Sequence, residues 1–300
     1  MLSALYYAGL EEIGATTFVR RARSGAVVLA YHNVVPDAGG VGDPGLHLPL
    51  AQFERQVEWL RARYAIVPLA ELAERVRDGR TVRGLAAVTF DDAYEGVFQH
   101  AWPLLRARGI AATVFVPTAL VGQRSAFWWD HPETVRRATP VQRERWLREQ
   151  RGDAAAILAT VNGGEGAVLP AVLRPASWTT IARAVGTGLS VGAHSCTHRT
   201  LTRLGDAELD AEVRESRDVL RARTGADVTA FAYPYGISDA RVRDAVRRAG
   251  YACAVTLGYG HNAGGTDPFA MRRVNVPAAI SAAAFAAWTA GLRPRLGRAS

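Results

Sequence analysis

Residues 84–92, GLAAVTFDD, decide the fold class, because a run of small apolar and β-branched residues ends abruptly in two aspartates. The run has the length and composition of a buried β-strand. The next stretch, AYEGVFQHAWPLLRARG (93–109), predicts a helix that stops at Gly109. A buried strand followed directly by a helix is typical of a parallel sheet covered by helices.

The same strand–helix unit recurs along most of the chain. A helix is predicted over 50–64, another over 206–225 and a third over 238–250, for which Ser238 is the expected N-cap. About seven repeats, without a dinucleotide-binding glycine fingerprint, favour a barrel over an open doubly wound sheet. Further buried strands are predicted in AVVLAYHN (26–33), IAATVFVP (110–117), LSVGAH (189–194), VTAFAYPYG (228–236), YACAVTL (251–257) and FAMRRVNV (269–276).

The repeats predict a single α/β domain over 1–300 with two additions. Residues 1–25 precede the first strand and are expected to form an N-terminal helical extension. Residues 124–177 interrupt the alternation with a segment rich in charge, aromatic residues and then glycine, which predicts a helical insertion. The insertion either flanks a substrate site or is a packed helical decoration.

The basic composition does not indicate a nucleic-acid-binding protein. The net charge is +8, but all 36 basic residues are arginine, and they alternate with acids on predicted helix faces. A phosphate-binding surface would have clustered basic residues interleaved with aromatics. The absence of lysine excludes Walker-type phosphate loops and Schiff-base chemistry. Two cysteines without a CxxC partner do not predict a disulfide framework.

The first residues, MLSALYYAGLEEIG, are a poor secretion signal, because the apolar run is short and has no basic start. The run is also too short to span a bilayer. We expect a helix that packs on the core, with peripheral membrane contact as the alternative. The expected location is cytoplasmic, with membrane association as its variant.

Polar residues stand at the ends of several predicted strands. Asp91 and Asp92 end one strand, His194 and His198 follow another, and His32 ends the first. The carboxyl ends of barrel strands face one rim, so these side chains are expected to converge. A carboxylate with two imidazoles suits an open three-ligand site for zinc or a similar divalent ion. The second aspartate is then free to accept a proton from water.

The segments TFDDAY, HSCTH and FAYPYG, in this order, resemble the three core motifs of the NodB-homology polysaccharide deacetylases (carbohydrate esterase family 4). The resemblance runs from VVLAYHNV (27–34) to MRRVNV (271–276). It implies a distorted (β/α)7 barrel and a metal-dependent hydrolase that removes acetyl groups from an amino-sugar-containing glycan or a lipid-linked amino sugar. O-deacetylase and deformylase activities, or an inactive carbohydrate-binding homologue, are the alternatives.

The resemblance also implies residue roles. Asp91 would be the general base. Tyr235 would offer its backbone N–H to the oxyanion, with Tyr233 as a second substrate contact. Zn²⁺ is the expected ion, with Co²⁺, Ni²⁺ and Mn²⁺ as alternatives, and the implied metal ligands are Asp92, His194 and His198.

The chain departs from the family pattern at several positions. The arginine that usually orients the base is replaced by Ala232, and Arg273, or less favourably Arg272, is expected to substitute for it. Arg199 stands where a proline is common after the second histidine. No C-terminal Leu-x-His motif is present to supply a general acid. The YHxV pattern resembles a branch of the family in which the first strand supplies the general acid, so His32 is the predicted acid. The alternative is that His32 only fixes the end of the first strand through a backbone hydrogen bond.

Overall fold

The computed structural model describes residues 2–37, 40–163 and 169–292. Its strands, in chain order, are β1 Val27–Tyr31, β2 Asn33–Val35, β3 His47–Pro49, β4 Ala65–Ile66, β5 Leu85–Phe90, β6 Ala112–Val116, β7 Ser190–Ala193, β8 Ala230–Ala232, β9 Cys253–Val255 and β10 Val274–Asn275. The helices are α1 Leu2–Glu12, α2 Ala15–Ala22, α3 Leu50–Arg61, α4 Leu69–Arg77, α5 Trp102–Ala107, α6 Pro132–Arg137, α7 Pro140–Glu149, α8 Ala154–Thr160, α9 Trp178–Val185, α10 Asp206–Thr224, α11 Ala240–Arg248 and α12 Ala282–Ala290.

Seven strands form a curled parallel sheet in the order β10-β1-β5-β6-β7-β8-β9, and β4 pairs with β5 beside this path. A parallel bridge between Val255 and Met271 brings the chain just before β10 alongside β9. The two ends of the sheet are therefore joined through one segment. The predicted distorted (β/α)7 barrel is confirmed.

The barrel strands are buried because both faces are covered, one by the barrel interior and the other by helices. β1, β6 and β8 have no exposed residue. The helices present apolar stripes to the sheet; in α10 these are Leu209, Val213 and Leu220, all under 3% exposed. The carboxyl ends of the strands consequently share one rim.

Two additions flank the barrel. α1 and α2 lie in the segment proposed as the N-terminal extension, and Tyr7 of α1 is buried. Its ring packs edge-on against Trp288 of α12, with 6.3 Å between centroids. No helix among the described residues is both long and apolar enough to cross a bilayer. α6, α7 and α8 lie within the segment 124–177 that we propose as an insertion.

One local expectation is wrong. The N-cap of α11 is Asp239, whose carboxylate accepts the Val242 N–H at 2.8 Å, and Ser238 lies one residue outside the helix. Serine and aspartate are both good N-caps. Because the helix begins at Ala240, the residue directly before it, Asp239, takes this position.

Candidate active site

Three donor atoms meet at the carboxyl-end rim of the barrel. Asp92 follows β5, His194 follows β7, and His198 lies four residues further along; all three are at most 4% exposed. His198 Nε2 is 3.1 Å from His194 Nε2 and 3.2 Å from Asp92 Oδ1, and His194 Nε2 is 3.6 Å from the same oxygen. The structure thus brings together the three residues predicted as metal ligands.

The backbone at this cluster adopts left-handed conformations at non-glycine residues. The φ angles are 69° at Asp92, 61° at Ser195, 60° at His198 and 59° at Tyr235. Such conformations cost about 1–2 kcal/mol per residue and concentrate at functional sites. The loop between the histidines is closed by a hydrogen bond from the His198 N–H to Ser195 Oγ at 3.0 Å. Local strain is therefore tolerated in order to aim these side chains.

The protonation of the cluster suits a cation. His194 Nδ1 donates to the Ala232 carbonyl at 2.7 Å, because a carbonyl can only accept, and Nε2 is left with a free lone pair. Burial lowers the pKa of His194 and of His198 to about 4. Burial raises the pKa of Asp92 to about 6. At neutral pH the cluster therefore holds neutral imidazoles beside a carboxylate.

The donor set fits a small divalent ion. Donors bound at ~2.0–2.1 Å to a tetrahedral ion lie roughly 3.3 Å from one another, which matches the three separations at this cluster. Asp92 Oδ1 is buried and has no hydrogen-bond partner among the described residues. A buried carboxylate oxygen without a partner is costly unless a cation satisfies it.

Asp91, adjacent to this cluster, is paired with a buried arginine. Arg273 is fully buried, and its Nη1 and Nη2 donate to Asp91 Oδ1 and Oδ2, each at 2.7 Å. Arg273 also donates to the Thr256 carbonyl and the Thr89 hydroxyl. Burial alone would raise the pKa of Asp91, but the charge and hydrogen bonds of Arg273, together with His194 and His32, outweigh burial and hold that pKa well below its usual range. Arg272 is exposed and does not make this contact.

A cavity of about 240 Å³ opens onto Asp91 and the three-residue cluster. His32 and Tyr235 reach it from the rim, as do Leu257 and Asn275. Tyr233 does not line it, because its hydroxyl donates to the Phe269 carbonyl at 2.8 Å within the core. The predicted substrate contact by Tyr233 is therefore not supported by its position.

The opposite wall of the cavity comes from the region 124–177. Trp128, Trp129, Arg143 and Leu147 line it. The Trp129 ring packs on His198 with 4.7 Å between centroids. Both tryptophans belong to the aromatic stretch FWWD (127–130) of the segment proposed as an insertion, and two adjacent tryptophans are the signal in the sequence for a cavity wall.

Two contacts join this wall to the rim. Trp128 Nε1 donates to the Tyr235 hydroxyl at 3.1 Å, and the Thr200 N–H donates to the Arg151 carbonyl at 2.7 Å. Gly152 has φ +72°, and a Cβ there would lie 2.9 Å from Tyr235 Oη, so glycine is favoured at this close approach.

A buried carboxylate, Asp130, connects the tryptophan pair to the barrel. Its Oδ1 accepts from His47 Nε2 at 2.9 Å and from the Asp43 N–H at 2.7 Å. Its Oδ2 accepts from the Tyr94 hydroxyl at 2.5 Å, and that hydroxyl accepts from Trp129 Nε1 at 2.7 Å. Sequence reasoning missed this network, because its members lie far apart along the chain.

Comparison with known proteins places this site in a family. Residues 78–254 match the family model for polysaccharide deacetylase. YxkH of Bacillus subtilis (strain 168), which is named for the same family, is 21% identical over 268 residues, covering 89% of this chain and 76% of YxkH. The poly-beta-1,6-N-acetyl-D-glucosamine N-deacetylase of Staphylococcus aureus (strain N315) is 32% identical over 76 residues, covering 25% of this chain and 26% of that protein.

The fold comparison agrees. The structure of IcaB from Ammonifex degensii superposes with a TM-score of 0.64 at 23% identity, covering 89% of this chain and 98% of IcaB. The family model matches more than half of the chain and includes Asp91, Asp92, His194 and His198. The chain therefore belongs to the polysaccharide deacetylase family of hydrolases.

Proposed function

We propose that this protein is a metal-dependent N-deacetylase that removes N-acetyl groups from an amino-sugar-containing glycan. The observation that carries the proposal is that one cavity holds both the Asp92–His194–His198 cluster and the Asp91–Arg273 pair. A cation site beside a separate carboxylate that is ionised at neutral pH supplies the two elements that hydrolysis of an amide by water needs.

Asp92, His194 and His198 would hold the divalent ion. When bound, such an ion lowers the pKa of a coordinated water towards neutrality and polarises a carbonyl oxygen. Zn²⁺ suits two imidazoles and one carboxylate, and Co²⁺, Ni²⁺ and Mn²⁺ accept the same donors.

Asp91 would take the proton from the attacking water. Arg273 occupies one lone-pair direction of each carboxylate oxygen, and a carboxylate has about four such directions, so capacity remains for the proton. Because Arg273 makes a bidentate contact, it also fixes the plane of the carboxylate. The Tyr235 N–H is proposed as the donor to the developing oxyanion.

His32 would deliver a proton to the departing amine. Burial lowers the pKa of His32, although the charges of Asp92 and Asp91 oppose this. The imidazole is then neutral at rest near pH 7, so the proton that it passes on must be acquired during turnover, and the proton released by the attacking water to Asp91 balances this step.

An N-acetylated amino sugar is the proposed substrate class. The Staphylococcus aureus relative is named for deacetylation of poly-beta-1,6-N-acetyl-D-glucosamine, which supports this class without selecting the glycan. The cavity of about 240 Å³ is smaller than the ~300–1,000 Å³ typical of sites for drug-sized ligands. It accommodates little more than the reacting sugar unit.

The test is acetate release from N-acetylated and O-acetylated oligosaccharides by protein stripped of metal and then reloaded with Zn²⁺ or Co²⁺. We expect release from N-acetylated sugars only after reloading. Asp92→Ala, His194→Ala and His198→Ala should each lose both metal and activity, whereas Asp91→Asn should keep the metal and lose ~10²–10⁴-fold in rate.

Matched controls are His100→Ala, a histidine outside the cavity, and Asp218→Asn, an exposed aspartate of α10. Both should retain metal and rate. Acetate release only from O-acetylated sugars, or a rate unaffected by metal removal, would contradict the proposal.

A further inference from the structure

Glu212 is a buried glutamate in the middle of α10 that lies outside the cavity. Its side chain is 4% exposed, although glutamate is rarely buried without partners. It faces the loop between His194 and His198 rather than either imidazole. Its burial therefore needs an explanation beyond the packing of the helix.

Both carboxylate oxygens of Glu212 bind this loop. Oε2 accepts the backbone N–H of Cys196 at 2.8 Å and that of Thr197 at 2.9 Å. Oε1 accepts the Thr197 hydroxyl, and it accepts Arg199 Nη2 at 3.2 Å. One side chain thus holds three positions, residues 196, 197 and 199, on both sides of the second histidine.

The loop needs an external support because its own conformation is unfavourable. Ser195 and His198 both have left-handed backbone conformations. Residues other than glycine favour different conformations unless the surrounding structure holds them. Two adjacent N–H groups point away from any strand partner and towards α10. Without Glu212 these half-buried donors would lose their acceptor, at up to about 1–3 kcal/mol each.

We propose that Glu212 is a positioning residue for the metal site. It clamps residues 196–199 to α10, so that His198 Nε2 stays within reach of His194 Nε2 and Asp92 Oδ1. α10 is a rigid base for the clamp, because its apolar stripe is buried against the barrel. Arg199 compensates the Glu212 charge and also donates to Thr197 Oγ1 at 3.1 Å. This inference rests on the proposed metal site.

The experiment measures the Kd of Co²⁺ and Zn²⁺ for the metal-stripped full chain, together with the visible absorption spectrum of bound Co²⁺. Glu212→Ala should raise the Kd by ~10–100-fold, the range typical for loss of a group that orients a metal ligand. Glu212→Gln keeps the shape but replaces one of the two accepting oxygens by an NH2 group, which cannot accept from the donors on its side, so we expect a smaller rise and an altered Co²⁺ spectrum.

The matched control is Glu215→Gln, the same substitution at an exposed position three residues further along α10. It should keep the wild-type Kd within about twofold, because a surface charge at that distance is screened. Thermal unfolding of each metal-free variant shows whether the fold survives. If Glu212→Ala does not fold, the Kd and the Co²⁺ spectrum of Glu212→Gln alone test the inference.

A purely structural role would lower the unfolding temperature and leave the Kd and the Co²⁺ spectrum of the folded fraction unchanged. That result would overturn the inference. If wild-type protein binds neither ion, the proposed metal site itself fails, and the two failures are thereby distinguished.

Discussion

Asp91 and Asp92 are neighbours in sequence, yet their surroundings shift their pKa values in opposite directions. Asp91 is matched by the buried Arg273, whereas burial dominates at Asp92. The left-handed backbone at Asp92 ends the strand geometry, so the two carboxylates take up separate positions. The two aspartates are the same residue type, so the different roles proposed for them, base and metal ligand, depend on their different neighbours.

At the same scale, His32→Ala tests the general acid. We expect the variant to fold and bind metal normally, since no hydrogen bond fixes His32 in the described structure, and to lose ~10²–10⁴-fold in rate on an N-acetyl substrate. The loss should be much smaller on an aryl acetate, because a good leaving group needs no proton. Equal losses of rate on both substrates would show that His32 is not the general acid.

At the scale of elements, the wall of the cavity depends on how the helices of the 124–177 region attach to the barrel. Asp130 joins the 3₁₀ turn Trp128–Asp130 to His47 of β3 and to Tyr94 after β5. Arg143 of α7 extends the connection through an ion pair with Asp43. The tryptophan pair is thus held over the Asp92–His194–His198 cluster by polar contacts as well as by packing.

Asp130→Ala should loosen this wall. The variant leaves His47, Tyr94 and the Asp43 N–H without their acceptor in a buried site, at about 1–3 kcal/mol per group. We expect a lower unfolding temperature and a KM raised more than kcat is lowered, because the metal and Asp91 stay in place. Steady-state kinetics with thermal unfolding provide the readout.

The control for this prediction is Glu144→Gln, which changes an exposed acid of α7 in the same region. It should leave both parameters unchanged. A Glu144→Gln effect as large as that of Asp130→Ala, or an Asp130→Ala variant with wild-type KM, would argue that the network does not hold the wall.

At the scale of the whole molecule, metal binding should stabilise the fold in a pH-dependent way. An ion that binds only the native state stabilises it by about 2.7 kcal/mol at 100 times its Kd. Protons compete for the ligands, and the pKa of Asp92 is about 6 while those of His194 and His198 are about 4. Stabilisation by metal should therefore be full above about pH 7 and be lost as the pH falls through 6.

Differential scanning fluorimetry with chelator or added Zn²⁺, from pH 8 to pH 5, measures this effect. At a domain of this size we expect a shift of several degrees at pH 8 that shrinks towards pH 5. His198→Ala should show no metal-dependent shift at any pH. A shift that grows as the pH falls would contradict the ligand assignment.

The pattern of residues along the chain is sufficient to predict the parallel barrel and the convergence of Asp91, Asp92, His194 and His198. Apolar strands that alternate with helices bury both faces of a sheet, and parallel strands must end on one rim. The motif MRRVNV predicts Arg273 as the partner of the base, with the neighbouring Arg272 as the weaker candidate. Only the tertiary contacts separate it from the exposed Arg272.

Tertiary structure alone decides how these residues are supported. Tyr233 and Tyr235 are two residues apart and would share a side of a regular strand, but the left-handed turn at Tyr235 sends one into the cavity and leaves the other in the core. Glu212 takes its partners from a loop 13–16 residues earlier in the chain, and Asp130 takes its partners from segments 36–87 residues earlier. Periodicity and motifs report which way a segment faces, but a buried carboxylate is placed by donors that only the folded chain brings to it.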